Sequence, residues 1–594
     1  MEIKMLKSIF KSVWTNTSDE QITQKKMNFS ATKFRNYFMN DTLLDFLNVY
    51  GEKFGFQKDD KTECCYQEHI MQRGQEFEKY VMNFLTPKFK KMSFVNIGIK
   101  HTKFNEVGVS ETITHMKSGT DVIYQGFLDN KELCIHGIPD LLIRVDKLRE
   151  LFGFYPECDI RDTRSEKREF PHLYVVVDIK YSTVDFCKNG TISNNKLMMV
   201  YSAQLFVYNK ILENLFFERT EIESPFFQPN VFLLSPRMKI TDKIILDGKE
   251  TISRIDLNNH VKKDFAGEVR KALNWLKEMH ENGESWDILK PIRKELRPNM
   301  KNKEDYPWHS VKSVLAKQQK EISDRPGISY EASIEISEKR KTIEDHIGEI
   351  KNPKKRRLME VMNEVQSDKS SDDDELEKIR IHPIISPSHD KMNFYVDFEF
   401  ISGSEFSFEP NYRTHLYLIG MGYESNGKFK YERFILDTIT DANERMIIQQ
   451  WISRMRAISR NREFQLIHWS NAEPSFFNKL KESLQIRGIF NWQDLKNLFE
   501  DCPVLLKEHG GNIKNQKLKT VAKSMKRLGH IQSDWDDDMT NGMEANMVII
   551  RGVQENLPKI IDFPGIEKLI HYNQIDCATL YEIVKYVQSK KRSF

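Results

Sequence analysis

Apolar side chains recur every fourth residue at Phe77, Val81 and Leu85 within MQRGQEFEKYVMNFL (71–85), a spacing that predicts an amphipathic helix. The pattern then changes period. LCIHGIPDLLIRV (133–145) and LYVVVDI (173–179) are rich in apolar and β-branched residues and predict strands buried in a sheet. Helical spacing returns over 198–216 (MMVYSAQLFVYNKILENLF), and VFLL (231–234) predicts a further short strand. Later in the chain, FYVDFEF (394–400), HLYLIGMG (415–422) and YERFIL (431–436) predict three consecutive strands. Helices are expected at 441–457, 474–486 and 517–528, and a closing helix from about 565 to 588. The expected fold class is α/β in both halves.

Between the halves, residues 335–378 lose this patterning. The stretch holds a basic cluster (Lys354, Lys355, Arg356, Arg357) and an acidic one (Asp372, Asp373, Asp374, Glu375). A segment this polar buries too little to offset its ordering entropy, which predicts a linker. The basic cluster reads as a nuclear-localisation or phosphate-contact patch, or as a solvated face. The expected organisation is an N-terminal extension over 1–64, one α/β module over 65–330, a charged linker over 331–385 and a second module over 386–594.

Composition narrows the function classes. The 594 residues carry 90 Lys plus Arg against 87 Asp plus Glu, a net charge of +3 that excludes a histone-like polybasic protein. An enzyme with positive charge local to a groove stays open. The cysteines, seven and irregularly spaced, do not make a disulfide framework, so a reducing setting is expected, cytosol or nucleus. No apolar run reaches the roughly 18 residues of a membrane span, and MEIKMLKSIFKSVW does not read as a secretory signal; no membrane association and no secretion are expected.

The strand around 173–179 carries the first chemistry. Asp178 and Lys180 lie two apart, so both side chains leave the same face of the sheet. Val175, Val176 and Val177 mark the strand as buried, and a buried charge needs a partner or a metal. Asp140, in Gly137-Ile138-Pro139-Asp140, stands at the mouth of another strand. With Asp178 and the carbonyl of Ile179 it would make an oxygen-rich nest for Mg²⁺ or Mn²⁺. Lys180 would orient and help deprotonate a water for attack on a phosphodiester. Glu78, on the helix with Gly74, is a further candidate metal ligand. Gln204 and Tyr208 lie one helical turn apart and can point at the same place.

Taken in order, Gly74/Glu78, Gly137-Ile138-Pro139-Asp140, Asp178-Ile179-Lys180 and Gln204-x-x-x-Tyr208 resemble the PD-(D/E)XK superfamily, in the branch of RecB-type nucleases and the CRISPR-associated RecB-like exonucleases. The resemblance covers roughly 65–240 and implies a Mg²⁺- or Mn²⁺-dependent DNA nuclease with a restriction-endonuclease-like core, commonly an exonuclease. It departs from the CRISPR-associated members in two ways. They usually carry histidine where Glu78 stands, and they hold an iron–sulfur cluster on one upstream cysteine and three downstream ones. Here Cys64 and Cys65 lie upstream, but after Tyr208 the next cysteine is Cys502, so no iron–sulfur cluster is expected. The interval from Asp140 to Asp178 is also longer than usual; its insertion RDTRSEKREF (161–170) is open as a DNA contact or a solvated loop.

A second constellation lies in the other half. Asp397 and Glu399 share one face of a strand, and Tyr572 stands one helical turn before Asp576. This resembles the Y-x-x-x-D form of the DEDD exonucleases, of RNase-H-like fold. The resemblance implies metal ligation by Asp397, Glu399 and Asp576, with Tyr572 positioning a water. The fourth acid falls to Glu473 in HWSNAE, a glutamate where the class has aspartate. DLKNLFE, LKTVAKSMKRLG and YNQID extend the match to RNase-H-like domains fused to RecB-type nucleases. Lys88, Lys90 and Lys91, or Arg293, Lys294 and Arg297, are open as phosphate contacts or solvated faces. The expected partner is DNA, single- or double-stranded; a helicase and a second copy of the chain stay open. A large-DNA-virus origin agrees with the high Lys, Asn and Ile usage. A non-catalytic nucleic-acid-binding subunit and an RNA exonuclease using the second half are the competing functions.

Overall fold

The computed structural model describes residues 27–59, 65–152, 169–241, 243–247, 251–290, 293–323, 325, 327–353, 356, 359–360, 391–408, 412–460, 462–469, 471–483, 490–494, 517–527, 529–535 and 542–592. The chain is mixed α/β and divides into two compact units, Met1–Glu321 with Phe408–Asn411, and Ile322–Ser407 with Tyr412–Phe594. No helix among the described residues is long and apolar enough to cross a membrane.

The first unit is built on a six-stranded mixed sheet of β1 (Phe94–Asn96), β2 (Val122–Tyr124), β3 (Leu141–Arg144), β4 (Tyr174–Ile179), β5 (Asn230–Leu234) and β6 (Ile252–Asp256), in the spatial order β6-β5-β4-β3-β2-β1. Every residue of β4 is buried, as expected of an inner strand covered on both faces. Helices α1 (Cys65–Phe89) and α2 (Lys196–Phe217) belong to the same unit. Asn195 caps α2 by accepting from the Met198 N–H, and Glu218 in the left-handed region closes it.

The stretch 133–145, expected as one strand, is two. Ile135–Gly137 joins a small sheet with Phe29–Ser30 and Leu128–Asn130, and β3 begins only at Leu141. Pro139 has no N–H to give a ladder, so the chain breaks there. The break sets Asp140 at the entry to β3, and the antiparallel register Leu141↔Val177, extended by one residue, puts it across from Asp178.

Residues 27–59, expected within an extension, belong to the core of the first unit: Phe29, Phe34, Leu43, Phe46 and Leu47 pack into its main apolar cluster. A buried ion network holds the segment. The Lys312 ammonium lies 2.8 Å from Asp41 and 2.6 Å from Asp305, and donates to the carbonyls of Asn299 and Asn302. Removing one partner from such a network leaves a bare buried charge, typically at a cost of about 3–5 kcal/mol.

The second unit has a five-stranded sheet of β7 (Met392–Ser402), β8 (Thr414–Ser425), β9 (Lys428–Ile435), β10 (Phe464–His468) and β11 (Trp492–Asp494), in the order β9-β8-β7-β10-β11. β7 is central, antiparallel to β8 and parallel to β10. Helices α3 (Asp441–Ser459), α4 (Leu518–Arg527) and α5 (Ile566–Arg592) fall close to their expected positions.

The start of the expected linker is part of this unit. Helices Tyr330–Ser337 and Ile343–Glu349 form there, the latter with a Thr342/Asp345 capping box. Ile328, Ala332, Ile347 and Met359 join the apolar cluster that holds Tyr395, Val521 and Leu580. A few well-spaced apolar anchors thus suffice in a charged stretch. Lys354, Lys355, Arg357 and the acidic cluster lie outside the described residues, while the Arg356 guanidinium caps the Ile350 carbonyl.

Candidate metal centres

In the first unit the residues picked out along 130 positions of sequence converge. Asp178, 1% exposed, is the last residue but one of β4, and the Lys180 ammonium lies 2.7 Å from its Oδ2. Lys180 is thus the cation that this buried carboxylate oxygen faces. Asp140 accepts a 2.6 Å hydrogen bond from the Ile179 N–H. Burial, then the charge of Asp178, push the Asp140 carboxyl well above the usual carboxylate range, against the pull of Lys180. Burial opposes the charge of Lys180, but Asp178 and Asp140 outweigh it and hold the ammonium above the ordinary lysine range. The ammonium is thus charged where it faces Asp178.

Gln204 and Tyr208 meet as their spacing predicts, Gln204 Nε2 donating to the Tyr208 hydroxyl at 2.8 Å. The hydroxyl in turn donates to the Ile138 carbonyl at 3.3 Å. A Cβ at Gly137 would stand 2.1 Å from Tyr208 Cε1, so the glycine makes room for the ring. Burial, then Asp178, raise the hydroxyl pKa of Tyr208. Gly74 has no comparable role, since an added Cβ there meets nothing within 4 Å. Glu78 is held by two residues that were not singled out from the sequence: its Oε1 accepts from the Tyr124 hydroxyl at 2.6 Å and from Gln125 Nε2 at 3.0 Å. The Gln125 N–H also donates to the Asp140 carbonyl, so one residue in the left-handed region (φ 52°) ties Glu78 to Asp140. A non-glycine residue at positive φ just after a strand is not legible from spacing.

In the second unit, Asp397, Glu399 and Asp576 bring carboxylate oxygens within 4.8 Å of one another, and no other three acidic, histidine or cysteine residues among the described ones do so. Glu78, Asp140 and Asp178 therefore do not form so tight a set. Like charges this close resist joint ionisation. Burial, then Asp576 and Glu473, push the Glu399 carboxyl up to about 8. Burial raises the Asp576 carboxyl to about 7 against Lys519 and a hydrogen bond from Trp535. Burial, then Asp576 and Glu399, hold Asp397 well above its usual range. Glu473, at the start of the helix Ala472–Ser483, acts on all three acids, and its Oε2 is buried without a hydrogen-bond partner, 3.6 Å from His468 Nδ1.

Several supports here were not anticipated. Asn573 Nδ2 donates to Asp397 Oδ2 at 2.7 Å, while its Oδ1 accepts from the Tyr431 hydroxyl at 2.8 Å. Gly420, directly across the ladder from Asp397, leaves the space that Asn573 fills; a Cβ there would stand 1.8 Å from Asn573 Oδ1. Trp535 Nε1 donates to Asp576 Oδ1 at 3.1 Å. The Lys519 ammonium sits 4.3 Å from the centre of the Tyr572 ring and 5.4 Å from that of Trp535. Tyr417 is fully buried, its hydroxyl has no hydrogen-bond partner, and Glu399 and Asp397 are the charges that act on it most.

Of the basic runs, Lys88 donates to the Leu151 carbonyl at 2.8 Å, Arg293 pairs with Glu278, and Arg297 lies 3.6 Å from Glu321. RDTRSEKREF lies outside the described residues except at its end, where Phe170 is buried; DLKNLFE lies outside them except for Asp494. Cys64 and Cys502 are likewise undescribed. No protein-family model matches the chain, and no curated protein or solved structure does either.

Proposed function

We propose that this chain is a Mg²⁺- or Mn²⁺-dependent nuclease that hydrolyses DNA phosphodiester bonds in a reducing compartment. On this reading the first unit is a RecB-type PD-(D/E)XK core and the second an RNase-H-like, DEDD-type domain. The observation that carries it is the junction of distant motifs in the first unit. Asp178 meets Lys180, Asp140 is fixed on the Ile179 N–H, and Gly137 is shaped around Tyr208. A surface ion pair would not need a fully buried strand, a facing acid and a glycine cut to a tyrosine ring.

The residues fit a divalent cation. Asp178 is buried, and with Asp140 and Glu78 it offers carboxylate oxygens, ligands of the hard type such ions prefer. Asp140 and Asp178 would hold the ion, with Glu78 in support through Tyr124 and Gln125. A cation so held supplies Lewis acidity toward a phosphoryl oxygen and toward the nucleophile. The rest falls to the chain. Lys180 contributes positive charge toward a phosphate oxygen, and Gln204 fixes the Tyr208 hydroxyl.

A second reading places chemistry in the second unit, and the close approach of Asp397, Glu399 and Asp576 favours it. It gives an exonuclease acting on RNA or DNA through those acids, Glu473 and Tyr572. The nuclease reading is tested on the wild-type protein with Mn²⁺ and end-labelled linear and circular DNA. Cleavage abolished by a chelator is expected, and intact linear and circular substrates would overturn the deoxyribonuclease reading.

A further inference from the structure

We infer that Tyr417 is a positioning residue of the second unit, its hydroxyl donating to the Glu399 carboxylate when the acidic cluster holds a divalent cation. The inference rests on reading Asp397, Glu399 and Asp576 as a cation site.

The backbone makes the first part of the case. β7 and β8 pair in step from Phe394↔Tyr423 to Glu399↔Leu418, and the next pair is Phe400↔Leu416. Tyr417 is the extra residue of a bulge. Strict alternation would send its side chain to the face opposite Leu418, away from Glu399. A bulge re-aims a side chain at the point where it interrupts the ladder, and such interruptions gather beside active sites.

The side chain makes the second part. Tyr417 is 0% exposed and its hydroxyl finds no hydrogen-bond partner, whereas donors about the acids are satisfied: Tyr431 on Asn573, Asn573 on Asp397, and Trp535 on Asp576. Phenylalanine would fill the same space without an unmet donor. Solvent does not reach the oxygen, so its acceptor must come from a group buried beside it. Glu399, across the ladder from Leu418 and foremost among the charges acting on Tyr417, supplies one. A carboxylate that holds a cation through one oxygen keeps lone pairs on the other, and a charge-assisted hydrogen bond there would fix its rotamer.

The test uses the full chain carrying Asp178→Asn, so that the second unit dominates Mn²⁺ binding. Tyr417→Phe keeps the ring and removes only the hydroxyl. Calorimetry should show Mn²⁺ affinity falling roughly 10–100-fold, with the thermal midpoint of the cation-free protein not lowered. The near-ultraviolet tyrosine difference band that Mn²⁺ induces in the parent should be missing from the variant. Unchanged affinity, or weakened affinity with the band retained, overturns the inference. Asp397→Asn and Glu399→Gln separate the two levels. If both bind Mn²⁺ like the parent, the cation site itself falls and the inference with it. If they bind weakly while Tyr417→Phe binds normally, only the inference falls.

Discussion

Replacing Lys180 by alanine is expected to lower Mn²⁺-dependent DNA cleavage by roughly 10²–10⁴-fold while DNA binding persists. The ammonium lies 2.7 Å from Asp178 Oδ2, in a pocket where burial alone would favour the neutral amine; it stays charged because two carboxylates face it. Its loss removes the positive charge that offsets Asp140 and Asp178 in the cation-free protein. Breaking a buried pair typically costs about 3–5 kcal/mol, and less here because the Lys180 side chain keeps 22% exposure. The uncompensated carboxylates should then bind Mn²⁺ no more weakly than in the wild type. The outcome to look for is lost turnover with retained, or tighter, metal binding, measured by cleavage kinetics beside calorimetry. A variant that cleaves normally would remove Lys180 from the chemistry.

The second large effect is a pH dependence in the second unit. Glu399 titrates near 8 and Asp576 near 7 in the fold, both raised first by burial. An unfolded chain releases those protons near pH 4. Between about pH 4 and 8 the folded state therefore holds more protons than the unfolded one, so stability without cation falls as pH rises through this window. A cation must displace the same protons. Its affinity should climb about tenfold per pH unit for each proton displaced between pH 6 and 8. Calorimetry of Mn²⁺ binding to an Asp140→Asn/Asp178→Asn variant, in buffers of different ionisation enthalpy, reads the proton release directly. Affinity independent of pH would mean that the acids are already ionised or that the cluster takes no cation.

What was legible in the sequence divides along physical lines. β4 was readable because a strand buried on both faces is a continuous apolar run, and α2 because helical spacing over 22 residues leaves little ambiguity. β1 and β2, three residues each, are too short to show a period and were not expected. The candidate site residues of the first unit were legible because their chemistry is odd for their setting. Their supports were not. Gln125 acts through a left-handed backbone, Asn573 through a space left by Gly420 on another strand, and Tyr417 through a register shift that exists only when two strands pair. Such roles belong to tertiary structure. The charged stretch after residue 330 misled for the opposite reason: its polarity hid the few anchors, such as Ala332 and Ile347, that pack into the second unit.

The central claim is that DNA cleavage runs on the first unit's Asp178, and comparing Asp178→Ala with Asp397→Ala tests it most directly. Both variants would be assayed with Mn²⁺ on end-labelled DNA and RNA of the same sequence. The expected result is DNA cleavage abolished in Asp178→Ala and retained in Asp397→Ala, with any RNA cleavage lost only in the latter. DNA cleavage unchanged in Asp178→Ala and abolished in Asp397→Ala would contradict it and move the chemistry to the second unit.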